Sequence, residues 1–457
     1  MEYDIAIIGA GPGGYVAAIR SAQLGFKTLL VEKEAVGGVC LNWGCIPTKA
    51  MIKNAEVLQT VKSAHNFGIS VSSFQINYQA GMERVWDVVR KLTNGINGLL
   101  KKHQVDLVFG DASLLDDHTI SVNNQHINSQ SIILATGASP NEIPGIEVDG
   151  RAVVNYKNGL LDQSPPDNAI VLGGGAIGIE SAWFLAAYGS KVTVIETEDR
   201  ILPREDKEIS RYLTRYLEKQ SIEILSNSQL IDLTKQENNC DVSIDTTNGT
   251  RYFEDQRVIV AAGIHGNTNG IGLENIKANI SASFIQVDKH LRVNESNVYA
   301  IGDLIGYAPL AHVAQAQAIY VVEQIAGLNP SPINYGAVPR AVYCHPQVAS
   351  IGMTEEEAIS NGFEIKVGRF PMSANGKALA EGSNEGFAKV VVDAKNGEIL
   401  GSHLLGSDVT ELLGELSIAK ILDGTNLEIG NLINAHPSIS EVVKEAALAV
   451  DGNAIHV

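Results

Sequence analysis

Tyr3-Asp-Ile-Ala-Ile-Ile-Gly-Ala-Gly-Pro-Gly-Gly14 decides the fold, because its pattern returns later in the chain. The apolar run Ile5 to Ile8 leads into Gly9-x-Gly11-x-x-Gly14, a helical pattern through Arg20 and Leu24, and the strand-like Thr28-Leu-Leu-Val-Glu32. Ala169 to Leu172 leads into Gly173-x-Gly175-x-x-Gly178, a helical segment to Tyr188, and Lys191-Val-Thr-Val-Ile-Glu196. In both copies the acid stands 18 positions after the third glycine. Each copy reads as a strand-turn-helix-strand unit that sets a pyrophosphate at a helix N-terminus and a ribose on the acid. One such fingerprint is often only a tight turn in a glycine-rich chain; two with matching strand, helix and acid are specific.

The copies also end alike. Ser131-Ile-Ile-Leu-Ala-Thr-Gly137 and Arg257-Val-Ile-Val-Ala-Ala-Gly263 each read as a buried strand closing on a glycine turn. From first to closing glycine the first copy spans 128 residues and the second 90. The extra length holds two cysteines and a helical stretch from about Lys49 to His65. A third glycine-acid turn, Val298-Tyr-Ala-Ile-Gly-Asp303, precedes Leu310-Ala-His312 and a helix; an N-capping aspartate is its ordinary reading. Beyond Tyr335 come hairpin-like runs, Gly386 to Asp393 and Ile399 to Leu405, then two helical segments, as in an α+β domain without a phosphate loop. The expected segments are 1–145, 146–266, a return segment 267–335, and 336–457. The fold class is α/β, with two Rossmann-like dinucleotide-binding domains plus a C-terminal α+β domain.

Composition agrees. With 457 residues, 45% hydrophobic, 44 glycines and only 6% aromatic, the chain suits glycine-turned α/β units better than a β-sandwich. A net charge of −18 argues against nucleic acid or anionic lipid as partner. The most apolar stretch, Ala169 to Gly189, carries Glu180 and five glycines, so it reads as buried strand and helix rather than a membrane span. The chain enters its first strand without a basic or transit-type leader, from which a cytoplasmic location is expected.

Cys40-Leu-Asn-Trp-Gly-Cys45 lies shortly after the first acid. Five steps along an ideal helix turn a side chain by about 500° and advance it more than about 7 Å, so a Cys40–Cys45 disulfide requires a broken helix. Gly44 supplies backbone freedom and Pro47 a first-turn residue for such a break. Standing alone, the pair would read as two inert buried cysteines; beside the fingerprint, redox chemistry leads. Zinc is not expected, since neither a second close cysteine pair nor an H-x3-5-H element accompanies it, and no metal site is assigned.

Gly37-Gly-Val-Cys-Leu-Asn-Trp-Gly-Cys-Ile-Pro-Thr-Lys49 resembles the active-site signature of the pyridine nucleotide-disulfide oxidoreductases, and the resemblance covers essentially the full chain. It implies FAD on the first fingerprint, NAD on the second and a C-terminal domain that forms a homodimer. Carried over by motif, FAD contacts are Gly9, Gly11, Gly14, Glu32, Lys33, Gly38, Lys49, Ala112, Thr136, Gly137, Asp303 and Ala311. NAD contacts are Gly173, Gly175, Gly178, Glu196, Leu230 and Gly263. The implied reaction is oxidation of protein-bound dihydrolipoyl groups. Its partners would be lipoyl domains and the acyltransferase (E2) of a 2-oxoacid dehydrogenase complex, or a glycine-cleavage carrier protein. The resemblance makes Cys40 the interchange thiol and Cys45 the thiol against the flavin. His436, in Asn434-Ala-His-Pro-Ser-Ile-Ser-Glu441, becomes the base, with Glu441 orienting it. Ser438-x-x-Glu441 is equally a capping box for the last helix. Lys49 is expected to pair with Glu180 beside the flavin, a solvated lysine being the ordinary reading.

The chain departs from the family pattern at Ile264, where an arginine is usual, at Asn434, where a further histidine is common, and at Gln315, in place of an acid. Other members of the family compete. Glutathione-reductase-like enzymes carry basic residues for a 2'-phosphate, which Glu196 would repel. Mercuric reductases need a C-terminal cysteine pair, and none lies beyond Cys344; soluble transhydrogenases lack the intact pair. A non-catalytic flavoprotein subunit is the reading from another functional class.

Overall fold

The structure is a computed structural model describing residues 2–161 and 163–456. It divides into two compact units. The first comprises 1–53, 74–145 and 262–333, and the second 54–73, 146–261 and 334–457.

In the first unit, β1 (Tyr3–Ile8) is the central parallel strand. It is followed by α1 (Pro12–Gln23), β2 (Thr28–Glu32), α2 (Gly38–Asn42) and α3 (Cys45–Lys62). Then come α4 (Tyr78–Lys102), β3 (Asp106–Phe109), β4 (Ala112–Leu114), β5 (Thr119–Val122) and β6 (Gln125–Leu134). Strand order is β3-β2-β1-β6-β5-β4, with Val298–Ala300 added in parallel to β6. β1 lies between β2 and β6, with Ile5 opposite Thr28 on one side and Ser131 on the other. Because β1 is paired on both edges and covered on both faces, Ile5, Ala6 and Ile7 are wholly buried, which is why the run reads as continuous apolar sequence.

The second unit repeats the plan. β7 (Ala138–Pro140) belongs to the first unit; after it come β8 (Val153–Val154), β9 (Asn168–Leu172), α5 (Ala176–Tyr188) and β10 (Lys191–Ile195). They are followed by α6 (Lys207–Lys219), β11 (Ile222–Leu225), β12 (Gln229–Lys235), β13 (Cys240–Thr246) and β14 (Gly249–Val260). The order β11-β10-β9-β14-β13-β12 reproduces the first sheet strand for strand. The seventh strand differs in origin: β8 precedes the copy it joins, whereas Val298–Ala300 follows its copy from far along the chain.

The four expected segments do not map whole onto the two units: 54–73 of the first segment lies in the second unit, and 262–266 of the second segment lies in the first unit. The first resumes at Ala262 because Ile264–Gly266 pairs antiparallel with β7, Gly266 opposite Ala138. The C-terminal antiparallel sheet, ordered Arg340–Val342, Gln347–Gly352, Ile399–Gly406, Phe387–Asp393 and Ile365–Pro371, shares the second unit with the second copy. Buried charge joins them: Lys389 Nζ lies 2.9 Å from Asp206 and 2.7 Å from Glu355, and Arg340 Nε donates to Glu205 at 3.1 Å. Removing one partner of a buried pair strands the other, so these contacts hold the two sheets in one body.

Both glycine turns are sterically closed to larger residues. A Cβ on Gly14 would run into the carbonyl oxygen of Gly9, and one on Gly178 into that of Gly173. Gly178→Ala must therefore open the second turn. The expected result is a dissociation constant for NADH raised by about tenfold, or about 1.4 kcal/mol, with the FAD content of the purified protein unchanged. Calorimetric titration and the flavin-to-protein absorbance ratio check the two halves.

Candidate active site

The cysteine segment is fixed to the first glycine turn by backbone. Gly37 N–H donates to Ala10 O at 2.8 Å, and Gly38, at φ +57°, would place a Cβ 2.7 Å from Gly11 Cα. Only glycine permits that approach at that φ. Asn42 Nδ2 donates to Val36 O and Gly38 O, at 3.1 and 3.0 Å, and locks the short α2 helix on its own start. The helix breaks as expected: α2 ends at Asn42 and α3 begins at Cys45, with Pro47 in its first turn. Gly44 acts differently from the expectation. Its φ is not positive; its N–H donates to Val39 O at 2.7 Å, and a Cβ would sit 3.1 Å from that oxygen, so close approach is what requires glycine.

Across this break Cys40 hydrogen-bonds Cys45. That bond, burial and the Cys45 charge push the Cys40 thiol up; Lys49 pulls it down and Asp303 pushes it up. These influences together favour the protonated form of Cys40. Asp303 itself is pushed up to about 6 by burial. The turn before it is held by Gln317, whose buried Oε1 accepts from Gly302 N at 2.6 Å. The sequence reading missed Gln317; its signal was a lone amide on the apolar face of Ala311–Ile325. Gln315, one of the departures, donates to Tyr15 Oη at 3.1 Å and ties that helix to α1. Gly137 has φ +68°, and Thr136 and Asn267 exchange hydrogen bonds at 3.0 and 2.8 Å. Ala112 opens β4, Ala311 opens its helix and Lys33 is exposed.

The two acids have the same surroundings. Glu32 accepts from Ala10 N and Glu34 N, each at 2.7 Å, and from Ala35 N at 3.2 Å. Glu196 accepts from Gly174 N (2.7 Å), Glu198 N (2.9 Å) and Thr197 Oγ1 (3.2 Å). A carboxylate accepts about four hydrogen bonds, so each buried acid keeps capacity for a ribose hydroxyl. Gly11 and Gly175 cap α1 and α5 without a side-chain acceptor, leaving first-turn N–H groups for phosphate. The residues therefore fit a dinucleotide at each turn. Gly173, Gly175, Gly178, Glu196 and Leu230 lie in the second unit, whereas Gly263, at φ +87°, lies in the first.

His436 and Glu441 meet, with Nδ1 3.0 Å from Oε1. Glu441 Oε2 also accepts from Ser438 N at 2.9 Å, so one carboxylate serves both readings of the sequence. The cap is half a box: the last helix, Glu441–Ala449, takes Ser440 as N-cap, and Ser438 Oγ is buried without a hydrogen-bond partner among the described residues. Burial opposes ionisation of Glu441, but the hydrogen bonds from His436 and Ser438 outweigh it and hold the carboxyl below its usual range. With Nδ1–H given to Glu441, Nε2 keeps its lone pair, on a side chain 79% exposed. Glu180 is buried in the second unit and accepts from Tyr343 N at 2.9 Å. Among the described residues no group of three or more His, Cys, Asp or Glu could hold a metal. No helix among them is long and apolar enough to cross a membrane.

Duplicated dinucleotide folds, one fastened to a hydrogen-bonded thiol pair, define a nucleotide-dependent thiol–disulfide redox protein. The model for pyridine nucleotide-disulphide oxidoreductases matches residues 3–318, and that for the dimerisation domain of the same family matches 338–447. The chain belongs to this family, and its cofactors are FAD and NAD(H). A dihydrolipoyl dehydrogenase of Bacillus subtilis is 43% identical over 470 aligned residues, covering all of this chain and 99% of that protein. One from Chlorobaculum tepidum is 40% identical over 452, covering 98% and 96%. Among solved structures, the HOCl-induced flavoprotein disulfide reductase RclA of Escherichia coli superposes with a TM-score of 0.87 at 27% identity, covering 98% of this chain and 99% of that one. LpdA of Mycobacterium tuberculosis shares the fold, with a TM-score of 0.89 at 24% identity over 97% and 99% of the two chains.

Two predictions follow from these contacts. Cys45→Ser should keep bound FAD but abolish the long-wavelength absorbance that a thiolate gives against a flavin after two-electron reduction, while Cys40→Ser should retain it. Identical spectra would contradict Cys45 as the thiol against the flavin. Glu196→Ser removes a carboxylate that a 2'-phosphate would meet as like charge, and should narrow the kcat/KM preference for NADH over NADPH by about tenfold, or about 1.4 kcal/mol. An unchanged ratio would assign the selectivity elsewhere.

Proposed function

We propose that this chain is a dihydrolipoyl dehydrogenase: it oxidises protein-bound dihydrolipoyl groups and passes the electrons through Cys40 and Cys45 to NAD+. The observation that carries this reading is the Cys40–Cys45 pair, anchored by backbone to the first dinucleotide turn. In the reaction a substrate thiolate attacks Cys40 sulfur of the oxidised pair, forming a mixed disulfide and releasing Cys45 as thiolate. His436 Nε2 takes the proton of the second substrate thiol, which attacks the substrate sulfur of the mixed disulfide. Cyclic lipoyl disulfide leaves, and Cys40 departs as a thiolate that takes the proton back from the His436 imidazolium. Glu441 fixes the imidazole tautomer. Bound FAD supplies the two-electron relay between the dithiol and NAD+. In the same reading the first fingerprint and Lys49 hold FAD, and the second holds NAD.

The reading includes a homodimer. Ile418, Ile421, Leu422 and Ile433 are between 62 and 99% exposed around the His436 loop, and an apolar surface of that kind on a dimerisation domain calls for a second copy. In such a dimer the exposed imidazole would serve the cysteines of the partner. Lipoyl domains and the acyltransferase of a 2-oxoacid dehydrogenase complex, or a glycine-cleavage carrier, are the macromolecular partners. A cytoplasmic location completes it, supported by four cysteines that form no secretory disulfide framework.

Purified protein should be yellow and should reduce NAD+ with dihydrolipoamide. Faster turnover of NADPH with glutathione disulfide would overturn the assignment in favour of another member of the family.

A further inference from the structure

The loop carrying His436 is largely exposed, yet both its ends are tied to one carboxylate. Asn434 Nδ2 donates to Ser440 Oγ at 2.8 Å, and Ser440 Oγ–H donates to Glu415, lying 3.0 and 2.8 Å from its two oxygens. Between these ends Asn375, itself buried, donates to Ser438 O at 3.0 Å. Glu415 stands in the first turn of Leu413–Ile421, whose Leu413 and Leu416 are buried while Ile418 and Ile421 are exposed. Burial raises its carboxyl above the usual range, and the Ser440 bond pulls it back. Asn434 Oδ1 is buried without a hydrogen-bond partner among the described residues, so Nδ2 alone holds that amide. A buried polar atom left unmatched costs free energy, and here the loop accepts it to keep Asn434 on Ser440.

We propose that Glu415 is a positioning residue for His436: through Ser440 and Asn434 it clamps both ends of the base-bearing loop to the interface helix and fixes where the imidazole is presented. The inference rests on the proposed role of His436 as base. It differs from simple support of the last helix, whose N-cap is Ser440, because a clamp matters only while there is a base to place. His436 is held at Nδ1 by Glu441, which sets its tautomer; Glu415 sets the path of the chain on either side. Misplacing a catalytic group by about 1 Å can cost about a hundredfold in rate, so a modest loosening of this loop is kinetically visible.

The test uses the holoenzyme and a mutant cycle of Glu415→Ala, His436→Gln and their combination, with Glu415→Gln beside them. Two reactions are measured: dihydrolipoamide oxidation by NAD+, and NADH oxidation by ferricyanide, which needs no thiol proton. Glu415→Ala should lower kcat for dihydrolipoamide by about tenfold or more while changing the ferricyanide reaction less than about twofold. Glu415→Gln, which still accepts from Ser440, should recover most of the loss. Added to His436→Gln, Glu415→Ala should cost less than about a further twofold, the mark of two residues acting as a unit. Full multiplicative loss in the His436→Gln background, or equal loss in both reactions, overturns the clamp. If Glu415→Ala does not fold, Ser440→Ala takes its place in the same cycle with the same expectations. A His436→Gln enzyme with unchanged thiol oxidation would overturn the assignment of the base and the clamp with it, an outcome distinct from loss in His436→Gln with full further loss on Glu415→Ala.

Discussion

The molecule depends on backbone standing where side chains would normally be. Gly14 lies against the carbonyl of Gly9, Gly178 against that of Gly173, and Gly38 against Gly11 Cα, each at a separation that a Cβ would violate. The first two contacts let a strand turn directly into a helix and aim unpaired N–H groups at one point. The third brings the redox segment onto that same point. Chemistry and cofactor recognition are therefore joined by main chain, which side-chain rotamer changes do not loosen.

Duplication gives this scaffold twice and lets one copy diverge. Glu32 and Glu196 each close a turn by accepting three hydrogen bonds, two or three of them from backbone, so the acid is a structural part of the turn. The first copy then gains an interruption after its acid, where α2 and α3 bring two sulfurs together across a break that neither helix alone could provide. The second copy, without the interruption, stays a plain nucleotide fold and instead shares buried charge at Asp206 and Glu205 with the C-terminal sheet.

Much of this was legible because it rests on period and spacing. The two fingerprints, their acids and their closing strands appear in the sequence as in the sheets, since a strand buried on both faces must be continuously apolar. The helix break between Cys40 and Cys45 followed from helical geometry once a bond between the two sulfurs was supposed. What escaped depends on distant residues. Val298–Ala300 and β8 complete the sheets from opposite sides in sequence, and no local pattern marks them as partners of β6 and β14. Lys389 reads as an alternating strand position, yet it is almost fully buried against Asp206 and Glu355. Glu441 could be cap or orienter by sequence, and its two oxygens take one role each. Glu415 gave no signal, being one acid in an amphipathic helix.

The discontinuous course of the first unit has a consequence for synthesis. Its sheet needs Val298–Ala300 beside Ile132, Ile133 and Leu134, and the unit runs to residue 333. At about 5–20 residues per second, a ribosome takes roughly 15 to 70 seconds to reach that point. From the completion of β6 until Val298–Ala300 follows, the nascent chain carries an unpaired apolar strand edge, the kind that recruits other strands. The order in which the gene is translated, rather than the stability of the finished molecule, thus makes the first half of the chain the stage most exposed to mispairing.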